Sequence, residues 1–108
     1  MKQGLPGELS PDAHILPTLR WRNADLFSPA DAAEMLDRCE KRGVTVLGIE
    51  GFRIGNDQRV PDPTAIADYS ALAQARDRSR RSIDAARKFI SSFAQTDLLF
   101  EFELQEQA

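Results

Sequence analysis

The stretch Val44-Thr45-Val46-Leu47-Gly48-Ile49-Glu50-Gly51-Phe52-Arg53-Ile54 decides the fold. Its first six residues are apolar on both faces apart from Thr45, which predicts a central strand, residues 44–54, covered on both sides or nearly so. From Glu50 onward the pattern alternates. Gly48 and Gly51 flank Glu50, so a bulge or a close backbone approach is expected there. Ligands of α/β proteins collect beyond the carboxyl ends of central strands, which makes Glu50 the foremost polar candidate. A structural ion pair with Arg20, Arg22 or Arg53 is the competing role for its carboxylate, and Asp25, Asp57 or Asp62 could supply a second acid.

Working upstream, Ser28 is a good N-cap, Pro29 suits the first helical position, and Gly43 supplies a left-handed stop after Lys41 and Arg42. A helix over 29–42 follows, burying Ala32, Met35, Leu36 and Cys39 at spacings of three and four. Thr18 to Trp21 reads as a short strand, followed by a loop from Arg22 to Phe27. Residues 1–17 hold Gly4, Pro6, Gly7, Pro11 and Pro17. They read as an extended lead-in whose apolar patch is His14, Ile15 and Leu16.

Downstream, Asn56, Asp57, Pro61, Asp62 and Pro63 predict an irregular loop from Gly55 to Tyr69. Short helical structure is expected next, then a strong helix over 80–94, capped within by Asp77 or Ser79, with Ile83, Ala86, Phe89, Ile90 and Phe93 buried. Residues 97–104 alternate as a strand with one buried face, and the tail from Gln105 is expected to fray. The order helix, strand, helix, strand predicts an α/β domain over 18–108. Its small sheet would hold strands 44–54 and 97–104 in parallel, joined by a right-handed helical crossover.

The chain has 108 residues, 14 basic against 17 acidic, and a net charge of −3. One core is all that this length supports. No apolar run approaches the ~20 residues that span a bilayer, so no membrane association is expected. The single cysteine, Cys39, rules out an internal disulfide and suits a reducing compartment, predicting a cytoplasmic location.

The chemistry-bearing residues are few. His14 and Cys39 each stand alone, so neither a zinc site nor a thiol nucleophile is expected, and Cys39 belongs to the core. No phosphate-binding glycine loop or serine elbow occurs. No metal, cofactor or catalytic residue is therefore predicted. Residues 76–88 carry six basic side chains against two acidic ones, while 97–108 carries four acids. The two segments are expected to compensate one another, and a solvated helix face explains the arginines better than nucleic-acid binding does.

In Leu47-Gly48-Ile49-Glu50-Gly51-Phe52, preceded by the helix Ala30 to Arg42 and followed by Ser82-Ile83-Asp84-Ala85-Ala86-Arg87-Lys88-Phe89-Ile90, the chain resembles the immunity protein 40 family of bacterial polymorphic-toxin systems. Asp68-Tyr69 stands where that family carries Asp-x-Trp. The resemblance covers residues 19 to 104. It implies a small non-enzymatic protein that binds and neutralises a cognate protein toxin, with no catalytic residue to transfer. The partner-facing set expected on this reading is Glu50, Phe52, Asp57, Asp62, Asp68 and Tyr69. Their acids would meet a basic toxin, and the turn after Ile49 and the 55–69 loop would project from one end of the sheet. The alternative is a small ligand-binding or enzymatic domain using Glu50 in a cleft. The final strand offers a route to a homodimer, which its glutamates oppose.

Overall fold

The computed structural model describes residues 16–106; the lead-in as far as Ile15, His14 included, and the last two residues lie outside that range. The chain forms a mixed α/β fold. A hairpin of β1 (Leu19–Trp21) and β2 (Ala24–Leu26) leads into helix α1 (Pro29–Arg42). Strands β3 (Thr45–Gly55) and β4 (Gln58–Asp68) follow, then a 3₁₀ turn (Ser70–Gln74), helix α2 (Arg78–Ser91) and strand β5 (Leu99–Gln105). Both sheets are antiparallel. One is the hairpin, and the other has the order β4-β3-β5.

Helix α1 forms as its sequence dictates. Ser28 accepts a hydrogen bond from the Asp31 amide, Pro29 opens the first turn, and Gly43, at φ 70°, closes the last by donating to the carbonyls of Cys39 and Glu40. Its buried stripe is Ala32, Met35, Leu36 and Cys39. Helix α2 starts two residues earlier than expected, and Asp77 makes no side-chain cap bond there. The serines of its first turns act elsewhere. Ser79 donates to the Val44 carbonyl at 2.8 Å, and fully buried Ser82 accepts from the Val46 amide at 2.9 Å while donating to the Ser79 carbonyl. Pairing with β4 begins only at Gly48↔Asp68. The start of β3 thus has no strand on that side, and the two hydroxyls take its backbone groups.

The core lies between the helices and one face of the sheet. Val44, Val46, Ile49, Ala65, Leu98 and Phe100 meet Leu36, Cys39, Ile83, Ala86 and Ile90, and Phe100 packs on the rings of Phe89 and Phe93 at centroid distances of 6.2 and 5.7 Å. Gly51 sits on this face opposite Phe100, where a Cβ would stand 2.8 Å from the Ala65 Cβ and 3.0 Å from the Phe100 ring. Close approach, one of the two roles expected for the glycines around Glu50, is thus real, and bulges interrupt the pairing at Val46/Gly48 and Glu50/Phe52 as well.

Five expectations need correction. Residues 58–68 are a strand, not a loop: Asn56 and Asp57 both take left-handed backbone, φ 51° and 59°, as a two-residue hairpin turn requires, and Arg22 to Phe27 likewise contains β2. Strands β3 and β5 pair antiparallel. The helical crossover joins β4 to β5, and because both run against β3 these two are parallel to one another without being neighbours. Strand β3 is covered along one face by the helices, but among the described residues its other face is covered only at the Phe52 end. Finally, the basic helix and acidic last strand do not compensate. Arg87 of α2 instead clamps α1, reaching Asp37 and Glu40 at 2.8 Å each, and Glu101 of β5 is held by Arg59.

Candidate functional site

The sheet face turned away from the helices is a grid whose rows follow from the register. At the β3–β4 turn, Arg59 lies opposite Ile54. The next row is Pro61, Phe52, Leu99; then Ile66, Glu50, Glu101; then Asp68, Gly48, Glu103. The first two rows are covered. Arg59 lies over the Phe52 ring at 4.2 Å and beneath the Trp21 ring at 5.8 Å, and it pairs with Glu101 at 3.0 Å. Arg22 stacks on Trp21 and pairs with Asp57 across the sheet end, so the tip of the hairpin reaches over Phe52, which is 3% exposed. The base of the hairpin is fixed at the other edge, where Phe27 and Phe100 exchange both backbone hydrogen bonds.

Nothing among the described residues covers the last two rows. They line a shallow depression of about 570 Å³ whose rim carries Glu50, Asp68, Glu101 and Glu103 and whose middle is Gly48. A residue without a side chain between Asp68 and Glu103 makes the dip. Ile66, 54% exposed, forms an apolar wall beside Glu50. Of the four carboxylates only Glu101 has an ion-pair partner among the described residues. Arg20 binds Asp25, Arg22 binds Asp57, and Arg53 binds Asp62 and Asp97, so the three arginines offered as structural partners for Glu50 are engaged elsewhere. Glu50 stands directly opposite Glu101, so two carboxylates are paired across β3 and β5 and only the second is held by an arginine. Among the described residues no group of three or more His, Cys, Asp or Glu is placed to hold a metal ion.

The six residues singled out in the sequence do not converge. Glu50 and Asp68 belong to the depression. Phe52 floors the covered end, and Asp57 marks the far turn. Asp57 and Asp68 stand at opposite ends of the strand, so the 55–69 segment and the turn after Ile49 do not project together. Asp62 lies in the four-residue excursion of β4 between Pro61 and Ile66; the Thr64 hydroxyl and amide, with Arg53, hold its carboxyl below the usual range. Asp68 is likewise lowered, by the hydroxyl and amide of Ser70, so it keeps its charge at mildly acidic pH. Tyr69 packs half-buried against the core and donates to the Ala85 carbonyl at 3.3 Å, and burial raises its hydroxyl. Sequence reasoning missed Glu101 and Glu103 as site residues. Their alternation with Phe100 and Phe102 was visible, yet the face they turn to depends on β4 being a strand.

Cys39 is fully buried against the Met35 sulfur at 3.4 Å, and burial, with the Glu106 charge, pushes its thiol up to about 11. Both causes disfavour the thiolate at neutral pH. No helix among the described residues is long and apolar enough to cross a membrane. No protein-family model, curated protein or solved structure matches the chain.

Proposed function

We propose that the chain is a non-enzymatic binding protein of the immunity type, which neutralises a toxin by seating its bare, acidic sheet face on a basic surface of that partner. One observation carries the reading. Four carboxylates occupy two adjacent rows of an uncovered sheet face with a single arginine at their border. Such a face costs stability in isolation, and a cationic partner removes the cost while long-range attraction speeds encounter. The resemblance of Leu47 to Phe52 and Ser82 to Ile90 to immunity proteins supplies the class of partner. The partner-facing set becomes Glu50 and Asp68 joined by Glu101 and Glu103, acting from within the cytoplasm.

The test is co-expression with a toxin found among the products of the neighbouring genes, scored by growth. The parent is expected to rescue, and the charge-reversed Glu50→Lys/Glu103→Lys variant, if its circular dichroism is unchanged, is expected to fail. Rescue that survives both reversals overturns the placement of the surface, and no rescue by the parent overturns the function.

A second reading has its own support. Glu50 lines a concave depression without an ion-pair partner among the described residues, as a small cationic ligand's site or a small enzyme's cleft would require. Calorimetric binding of such a ligand, abolished by Glu50→Gln, would favour it over the protein partner.

A further inference from the structure

We infer that the partner reaches this face with an extended basic segment, which adds as a strand to the free edge of β4 at Ile66–Asp68; the inference rests on the reading of the acidic face as a protein-binding surface. Among the described residues, strand β4 is an outer strand of its sheet. The Tyr69 amide donates to the Leu47 carbonyl at 2.8 Å, so the backbone groups of residues 69, 67 and 65 point inward to β3. By alternation those of 64, 66 and 68 point to the open edge. The first half of that edge is closed. Pro61 and Pro63 have no amide hydrogen, and the Thr64 amide is held by the Asp62 carboxylate at 2.9 Å. At Ile66 and Asp68 the outward backbone N–H and C=O have no strand beside them among the described residues.

These two residues also turn their side chains to the acidic face, Ile66 as the apolar wall and Asp68 as a charged rim. A strand docking here would lay every second side chain over that face, opposite Ile66 and Asp68 and within reach of Glu50. Charge selects the occupant: those side chains must be Lys or Arg. A second copy of this chain would instead bring another set of carboxylates alongside the first.

The experiment uses the full chain and two synthetic octapeptides of alternating lysine and valine, one unmodified and one N-methylated at its lysines. The charge is the same, but the modified peptide lacks the amide hydrogens that would bond β4. The unmodified peptide is expected to slow amide exchange at Ile66 and Asp68 and to bind at least about tenfold more tightly than the methylated one. Equal binding by both peptides, with no protection of those amides, overturns strand addition and leaves the acidic-face reading intact. Failure of both to bind at low salt also overturns it, and the growth assay then decides the acidic-face reading separately. Protection of Ile66 and Asp68 in the free protein, with a dimeric mass, makes a second copy the occupant and overturns the inference as well.

Discussion

The two ends of the open sheet face are made by the same three strands and differ in everything else. At the Phe52 end an arginine is stacked between two aromatic rings, paired with a glutamate and covered by a hairpin. At the Glu50 end the same alternation of side chains places carboxylates where the other end has Pro61, Phe52 and Leu99, and nothing among the described residues covers them. The covered end shows how this fold finishes a sheet face when stability is what matters. The bare end departs from that solution at Glu50, Glu101, Glu103 and Asp68 together, and it is on this departure that the proposed partner surface rests.

Destroying the covered end should have the largest effect. Replacing Phe52 by Ala removes a ring that is 3% exposed and leaves Arg59 without one of its two aromatic neighbours. A loss of about 3 kcal/mol is expected, read from the midpoint of denaturant unfolding. Next comes the floor common to both ends. Gly51→Ala puts a methyl 2.8 Å from the Ala65 Cβ, an atom fixed to the neighbouring strand that cannot swing away. We expect about 2 kcal/mol of destabilisation, the cost of overpacking, and Gly51→Ala together with Ala65→Gly should recover most of it. Were the single variant neutral, the two strands would be less tightly apposed than described.

How far this contrast was legible in the sequence depends on one strand. Helix α1 could be read to its last residue because every signal agreed: cap, proline, apolar stripe and glycine stop. Strand β3 was evident from its run of apolar residues. Strand β4 was not, because Pro61, Asp62 and Pro63 read as a loop; the fold keeps Pro61 opposite Phe52 and absorbs Asp62 and Pro63 in a four-residue excursion, on an outer strand where a missing amide costs little. The misread signal was Asn56-Asp57, assigned to an irregular loop when it is a two-residue turn between alternating segments. With β4 unseen, the crossover helix was assigned to the wrong pair of strands and β5 came out parallel to β3. The same omission hid the acidic face, since Glu101 and Glu103 become neighbours of Glu50 and Asp68 only through the antiparallel register.

Arg59 is where the two ends meet. It neutralises Glu101 on one side and holds Trp21 and Phe52 on the other. Arg59→Gln should cost about 1 kcal/mol, since the group is partly solvated and its charge pair is worth less than one buried. The more telling readout is Trp21 fluorescence, because Trp21 is the only tryptophan in the chain. A red shift is expected as the hairpin tip loosens. Unchanged emission would mean that the Phe27–Phe100 bridge and the Arg22–Asp57 pair hold the hairpin down without Arg59.

The smallest effect on stability is expected at Glu50, and its sign is what matters. Glu50 and Glu101 are directly opposed across β3 and β5, and the Arg59 charge reaches only the second of them. Neutralising Glu50 as Gln keeps the shape and removes one member of a like-charge pair, so the free protein should gain about 0.5 kcal/mol at low salt, and less as salt rises. The equivalent change at the other end, Asp57→Asn, breaks the exposed pair with Arg22 and should bring no gain. Binding should move the opposite way: Glu50→Gln weakens association with a basic partner and flattens its salt dependence, while Asp57→Asn leaves both as they were. A variant more stable and less able to bind is the signature of a charge kept for recognition. If Glu50→Gln instead destabilises the free protein, Glu50 is part of the sheet's own structure, and the distinction between a finished end and a bare end of this face is lost.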